Sequence, residues 1–206
     1  MYTEWSARGA NFLTPPKQHR YETRCYIRDP DGHLIELGQT TDPDGDWVPA
    51  QWPSSTPASD SPGIVLTRFI VSDDVERSQR FYTDVLGGRL AFSGDVTYVA
   101  LSNSWIIINV GGGPTDDKPA VTLETPRDHN RVSSFLNIRV TDIEAVYAEW
   151  SAKGANFLTP PKQHPYETRC YIRDPDGHLI EVGQTTDPEG DWSPVRWASS
   201  TPAEGV

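Results

Sequence analysis

The chain has 206 residues, a formal net charge of −11 and a sequence pI near 4.8. No cluster of Lys and Arg stands out against that acidity, which opposes phosphate binding and argues against a nucleic-acid partner. The longest apolar run, around Trp105 to Val110, is too short to span a bilayer, and no basic-then-apolar signal opens the chain, so a cytoplasmic protein with no membrane partner is expected.

Residues 2–58 recur as residues 147–203, differing only at Thr3/Ala148, Arg8/Lys153, Arg20/Pro165, Leu37/Val182, Asp44/Glu189, Val48/Ser193, Ala50/Val195, Gln51/Arg196 and Pro53/Ala198. The first copy starts at Tyr2, whose counterpart Tyr147 falls in mid-helix, so this copy has no equivalent of residues 135–146. It is expected to hold half a helix and three strands with an unpaired edge, a poor independent core that must dock on something or stay partly disordered. Cys25 and Cys170 are one position seen twice, which is not how a disulfide framework arises, and each is expected to pack as a small apolar residue. Residues 59–62 read as a linker.

Ile64 to Val71 is mostly β-branched and aromatic and reads as a strand. Asp74 caps a helix in which Val75, Ser78, Phe81, Tyr82 and Leu86 recur at helical spacing until Gly87 and Gly88 end it. Three strands follow, Arg89 to Phe92, Val96 to Leu101 and Trp105 to Val110, separated by turn-forming residues. Residues 114–132 form a connector, in which Ala120 to Leu123 can add a little edge strand. The order then restarts. Phe135 to Val140 reads as a strand, and Asp142 caps a helix whose apolar stripe is Ile143, Val146, Tyr147 and Trp150. Ala155 to Leu158, Arg169 to Arg173 and Leu179 to Gly183 supply three more strands, the last two joined by the Asp174-Pro175-Asp176-Gly177 turn. Residues 191–206 read as a tail.

The segments SDDVERSQRFYTDVLGG, VTDIEAVYAEWSAKGANF and RDPDGHLIEVGQ, in that order, resemble the vicinal oxygen chelate superfamily of glyoxalases, bleomycin-resistance proteins and extradiol dioxygenases. The resemblance covers residues 63–190 and implies an α+β fold: two βαβββ modules, 63–113 and 134–190, whose curved sheets enclose a central cavity. Residues 1–58 are then an N-terminal partial copy of the second module. The family places metal ligands on the first and last strand of each module, commonly His or Gln first and Glu last. Carried over, those positions fall on Thr67 or Arg68, Asn109, Phe135 or Leu136, and Glu181. Only Glu181 matches, and its copy is Glu36.

A Lewis-acid metal needs about three protein ligands with a position left open, so a full metal site is not expected and Glu181 is at most a weak metal candidate. Arg68 is expected to pair with Glu181 or with an anionic ligand if it faces the same cavity. Tyr98, Trp105 and Phe135 are candidate cavity walls for a planar or apolar molecule, with the alternative that strand aromatics fill a core. His178 is expected on the strand face opposite Glu181, stabilising the turn, and His164 in a solvated loop; His129 has no assigned role. There is no Gly-x-Ser-x-Gly, Cys170 has no local His, and Gly111-Gly112-Gly113 leads into no helix. The expected function is small-molecule binding at Arg68, Tyr98, Trp105, Asn109, Phe135 and Glu181 without a cofactor. One alternative is a divalent-metal lyase, isomerase or dioxygenase, and another is assembly through the repeated ends. A homodimer is the expected partner state; the two copies can exchange, within a chain or between chains by swapping, and the alternative, favoured by the broken helix, is that the first copy is a duplication remnant packed on the surface.

Overall fold

The computed structural model describes residues 1–20, 22–40, 66–94 and 96–186. The linker 59–62, the tail 191–206, Ile64, and the paired tryptophans Trp47, Trp52, Trp192 and Trp197 lie outside the described residues. Two compact units divide the chain: Met1–Gln51 with Gly111–Leu123, and Trp52–Val110 with Glu124–Val206.

In the second unit, β-branched residues between turn signals give the first module its sheet. β5 (Arg68–Val71), β6 (Arg89–Phe92), β7 (Val96–Leu101) and β8 (Ser104–Asn109) are ordered β5-β8-β7-β6, with β5 parallel to β8 and the other pairs antiparallel. Between β5 and β6 runs helix α2 (Val75–Arg80), capped as expected by Asp74, whose side chain accepts from the Arg77 amide. Its continuation, Phe81–Val85, is a π-helical turn where an unbroken α-helix was expected; the Leu86 amide donates to the Phe81 carbonyl five residues back. This wider turn accompanies burial of the successive Phe81 and Tyr82 rings. The first strand is shorter than its apolar run, starting at Arg68, and Ala120 to Leu123 contributes only a bridge from Leu123 to Gly112.

The second module repeats the plan. β9 (Leu136–Arg139) leads to α3 (Ile143–Ala152), capped by Asp142, which accepts from the Ala145 amide. β10 (Asn156–Phe157), β11 (Lys162–Gln163), β12 (Glu167–Arg173) and β13 (Leu179–Thr185) follow. β13 lies between β12, antiparallel, and β9, parallel. β11 was not foreseen: two residues after a Pro pair carry almost no periodicity, and only their pairing with β12 defines the strand.

One apolar cluster joins the modules within this unit. Ile70, Val99, Ile106 and Ile108 come from the first sheet and Phe81, Tyr82 and Leu86 from its helix. Ile143, Trp150, Cys170, Ile172, Ile180 and Val182 come from the second module. Each fully buried aliphatic side chain here contributes about 1.5–3 kcal/mol. Burial pushes the Cys170 thiol up to about 11, aided by the Glu144 carboxylate, so it is a packing residue and no nucleophile.

A polar lock completes this packing at the Asp174-Pro175-Asp176-Gly177 turn. The buried Asp174 carboxylate accepts from the Tyr82 hydroxyl at 2.9 Å and from the His178 amide at 2.8 Å. Asp176 accepts from the Ser78 hydroxyl at 2.5 Å, the Arg77 guanidinium at 2.7 Å and the Asp73 amide at 3.1 Å. His178 bonds the Val71 carbonyl oxygen through Nε2 at 2.8 Å, so it ties the turn to β5.

The first unit holds most of the first copy of the repeat in its own setting. α1 (Tyr2–Ala7), β1 (Asn11–Phe12), β2 (Lys17–Gln18), β3 (Glu22–Arg28) and β4 (Leu34–Thr40) reproduce the strand registers of the complete module residue for residue. The Tyr2–Phe12 edge contact at 4.7 Å repeats that of Tyr147 and Phe157 at 4.6 Å. Among the described residues, however, β4 pairs only with β3, whereas β13 pairs with both β12 and β9. Ile35 is 42% exposed where Ile180 is 1% exposed, and Glu36 is exposed where Glu181 is buried. No helix of the described residues is long and apolar enough to cross a membrane.

Candidate functional site

Side-chain alternation sorts each sheet into two faces. In the second module Leu136, Ile138, Cys170, Ile172, Ile180 and Val182 take the α3 side. The other face therefore receives Phe135, Asn137, Arg139, Arg169, Tyr171 and Glu181. Tyr171 and Asn137 are both direct register partners of Glu181, so the three groups must meet. Glu181, 6% exposed, accepts from the Tyr171 hydroxyl at 2.5 Å and from the Asn137 amide nitrogen at 2.6 Å, one donor on each oxygen. Arg139 lies 3.7 Å from the same carboxylate and donates to Glu167 at 2.6 Å; Arg169 donates to the other Glu167 oxygen at 2.7 Å. Phe135, 42% exposed, meets Tyr171 edge to face at 6.3 Å between ring centres.

The electrostatics follow from these partners. Tyr171 is held above the ordinary phenol range by its bond to Glu181 and by burial, so it is a neutral donor. Burial pushes Glu167 up, but the hydrogen bonds and charges of Arg139 and Arg169 outweigh it and hold the carboxyl below its ordinary range. A cavity of about 500 Å³ borders this face, lined by Arg139, His164, Pro165, Tyr166, Glu167, Arg169 and Thr185. His164 thus lies at a cavity, as part of the loop after β11.

The residues expected from the sequence fall into two groups. Glu181 and Phe135 share the polar face. Tyr98, Trp105 and Asn109 share one face of the first module's sheet, as the pairings Tyr98 to Ile107 and Val71 to Asn109 require, and both rings are buried. Arg68 pairs with Ile106 and so takes the opposite, helix-packed side, where its guanidinium lies 3.5 Å from the Ser134 hydroxyl. The cation beside Glu181 is Arg139, not Arg68, because the parallel register of β5 against β8 turns Arg68 away from the face of Asn109. Asn137, Tyr171, Arg139 and Glu167 were missed. Tyr171 was legible, since pairing Arg173 with Leu179 across the tight turn and counting back sets it opposite Glu181.

The surroundings of Glu181 do not suit a divalent ion. Each oxygen accepts from a neutral donor, a guanidinium stands nearby, and among the described residues no group of His, Cys, Asp or Glu able to hold an ion includes it. Among the described residues, one His/Asp group has ligand atoms close enough to hold a metal ion: His19, Asp116 and Asp117, in the first unit. There Arg24 already donates to Asp117 and Lys17 lies 3.7 Å from Asp116, so cationic side chains already balance these carboxylates.

Two sheet-and-helix modules, each closing its first strand parallel against its last, define a mixed α+β fold of the glyoxalase type. The chain belongs to the Glyoxalase/Bleomycin resistance protein/Dioxygenase superfamily, whose model matches residues 64–182. It is 27% identical over 124 residues to the metallothiol transferase FosB of Shouchella clausii (strain KSM-K16), covering 58% of this chain and 78% of that protein. The crystal structure of a glyoxalase/bleomycin resistance protein/dioxygenase from Alicyclobacillus acidocaldarius superposes with a TM-score of 0.51 at 16% identity, over 65% of this chain and 100% of that one. Another superfamily structure, from Nocardioides, gives 0.50 at 18% identity, over 72% of this chain and 93% of that one. The structural likenesses concern the fold.

Proposed function

We propose that the chain binds a small planar or apolar molecule in a cavity formed by the curved sheets, anchored on Phe135, Asn137, Arg139, Tyr171 and Glu181, with Tyr98, Trp105 and Asn109 as the first module's contribution, and without a complete metal site. The observation that carries this reading is the half-exposed Phe135 ring beside a buried carboxylate that accepts one neutral donor on each oxygen. Phe135 offers a stacking surface, and Arg139 and Asn137 offer donors. Glu181 fixes Tyr171 and Asn137 in place. Such a site favours recognition over turnover.

A screen of planar aromatic fragments and of bleomycin, observed through backbone amide shifts, tests it. Saturable shifts confined to Phe135–Arg139, Tyr171 and Glu181, with the probe recovered unchanged, are expected. Binders that shift only amides elsewhere in the chain sink the reading. The likeness to a metallothiol transferase favours a second reading, metal-dependent transfer of a thiol to a small-molecule substrate. Thiol consumption that requires both an added divalent metal and an electrophilic small-molecule acceptor, abolished by Glu181→Gln, would establish that reading in place of the first.

A further inference from the structure

The two copies hold the same set of polar side chains, and in the first unit that set already grips something. Residues 111–123 form a self-contained turn: Gly112 and Leu123 exchange backbone bonds, Thr115 and Lys118 do likewise, and the Thr115 hydroxyl bonds the Asp117 carboxylate at 2.5 Å. The copied sheet holds this turn through four residues. Arg24 donates through Nε to the Asp117 carboxylate, and the Thr14 hydroxyl donates to the Asp117 carbonyl oxygen at 3.2 Å. His19 Nε2 lies 3.0 Å from the Asp117 carboxylate, and Lys17 Nζ lies 3.7 Å from that of Asp116. Asp117 is fully buried by this grip.

All four residues recur in the second copy, as Thr159, Lys162, His164 and Arg169. They stand in the same frame: Lys162 pairs with Arg169 as Lys17 pairs with Arg24, and Arg169 is braced by Glu167 at 2.7 Å as Arg24 is by Glu22 at 2.8 Å. Lys162 is exposed, and His164 and Arg169 line the cavity of about 500 Å³. Among the described residues the side chains of Lys162 and His164 form no ion pair. Arg139, on the strand that the first copy lacks, adds a further positive charge beside this surface.

We infer that this face of the second copy is a second seat for the acidic turn, and that its occupant is the Asp116–Asp117 turn of a second copy of this chain. One turn cannot fill both seats at once: the amino-terminal copy grips it in cis, and a turn released from that grip is taken in trans by the carboxy-terminal copy of another chain. Releasing the cis grip drives exchange into a swapped dimer. Charge complementarity selects this occupant, with two aspartates facing Lys162, His164 and Arg169. The seat shares only Arg139 with the ligand reading and is tested by self-association, so the failure of one leaves the other standing.

Sedimentation of the full chain over a concentration series tests it. Arg24→Glu should strengthen self-association by about tenfold or more, and adding Arg169→Glu should cancel that gain. An Arg24→Glu protein that associates no more than the parent, or whose association ignores Arg169→Glu, overturns the inference. A second measurement uses the unmodified protein, in case Arg24→Glu does not fold. A synthetic peptide of residues 111–123 should shift the amides of Lys162–Arg169, and the same peptide with Asp116→Asn and Asp117→Asn should not. Equal shifts from both peptides, or none from either, also overturn it.

Discussion

Replacing Asp176 by Ala probes the contact that joins the two modules, and the chain supplies its own control in Asp31, the same residue of the same tetrapeptide in the first copy. Asp176 is 5% exposed and accepts from Ser78, Arg77 and the Asp73 amide, whereas Asp31 is exposed. Burial raises the Asp176 pKa, but the bonds from Ser78, Ser72 and Asp73 outweigh it and leave it lowered, so the carboxylate is ionised at neutral pH. Its removal strands a hydroxyl, an amide and part of a guanidinium, and breaking a buried pair from one side costs about 3–5 kcal/mol. Arg77 is partly solvated, which places the expected loss near the lower end, at about 3 kcal/mol. For a chain of this size that is a fall of about 6–12 °C in Tm, against less than about 2 °C for Asp31→Ala. Differential scanning calorimetry of the two variants beside the parent gives both numbers. Equal shifts, or a shift under about 3 °C for Asp176→Ala, refute the claim that this carboxylate locks the modules.

Three further predictions concern other positions. Gly32 and Gly177 both have positive φ, +90° and +88°, but a Cβ at Gly32 meets open space while one at Gly177 falls 2.4 Å from the His129 ring. Gly32→Ala should therefore cost about 1 kcal/mol and Gly177→Ala clearly more by urea unfolding, and equal costs would show that His129 yields freely. Burial raises the Asp117 carboxyl, yet the bonds from Arg24 and Thr115 win and hold it at about 2. A lowered folded-state value means stability that is present above the ordinary carboxylate range and lost as pH falls through about 4 toward 2, worth about 2 kcal/mol. Denaturant midpoints against pH should therefore fall less steeply in acid for Asp117→Asn than for the parent, and parallel curves would contradict the assignment. Phe135→Ala should weaken binding of any aromatic ligand at this face by about tenfold, with a stability loss of about 1 kcal/mol or less given its exposure. A loss of several kcal/mol in calorimetry would show Phe135 to be core.

Much of the fold was legible because its signals are local. Asp74 and Asp142 cap helices from sequence because a short carboxylate before an apolar 3.6-residue period has one good use, and the structure shows both accepting from the expected amides. The strands Arg89–Phe92 and Val96–Leu101 were bounded to the residue by their turns. Of the site, Glu181 and Phe135 were expected only from the family resemblance, with Leu136 open as the alternative to Phe135, and the structure sets Phe135 beside Tyr171 on the face of Glu181. Arg68 did not join them, because the register between parallel strands far apart in sequence is not written in either strand. The π turn and the two-residue β11 also escaped, since neither changes the hydrophobic pattern.

The duplication separates the two kinds of information within one molecule. Wherever bonding is local, the copies agree: the hairpin registers, the Tyr2–Phe12 contact and the bond from Tyr26 to Glu36 at 2.5 Å all match their counterparts. The sequence by itself determined these, because each depends on residues within one hairpin or on a helix and its next strand. Wherever a partner comes from afar, the copies part. Ile35 and Ile180, Asp31 and Asp176, and Glu36 and Glu181 are pairs of similar or identical residues with opposite burial. Only the tertiary structure decided their fates, since Asp176 and Glu181 meet Ser78 on α2 and Asn137 on β9, partners far from them in sequence.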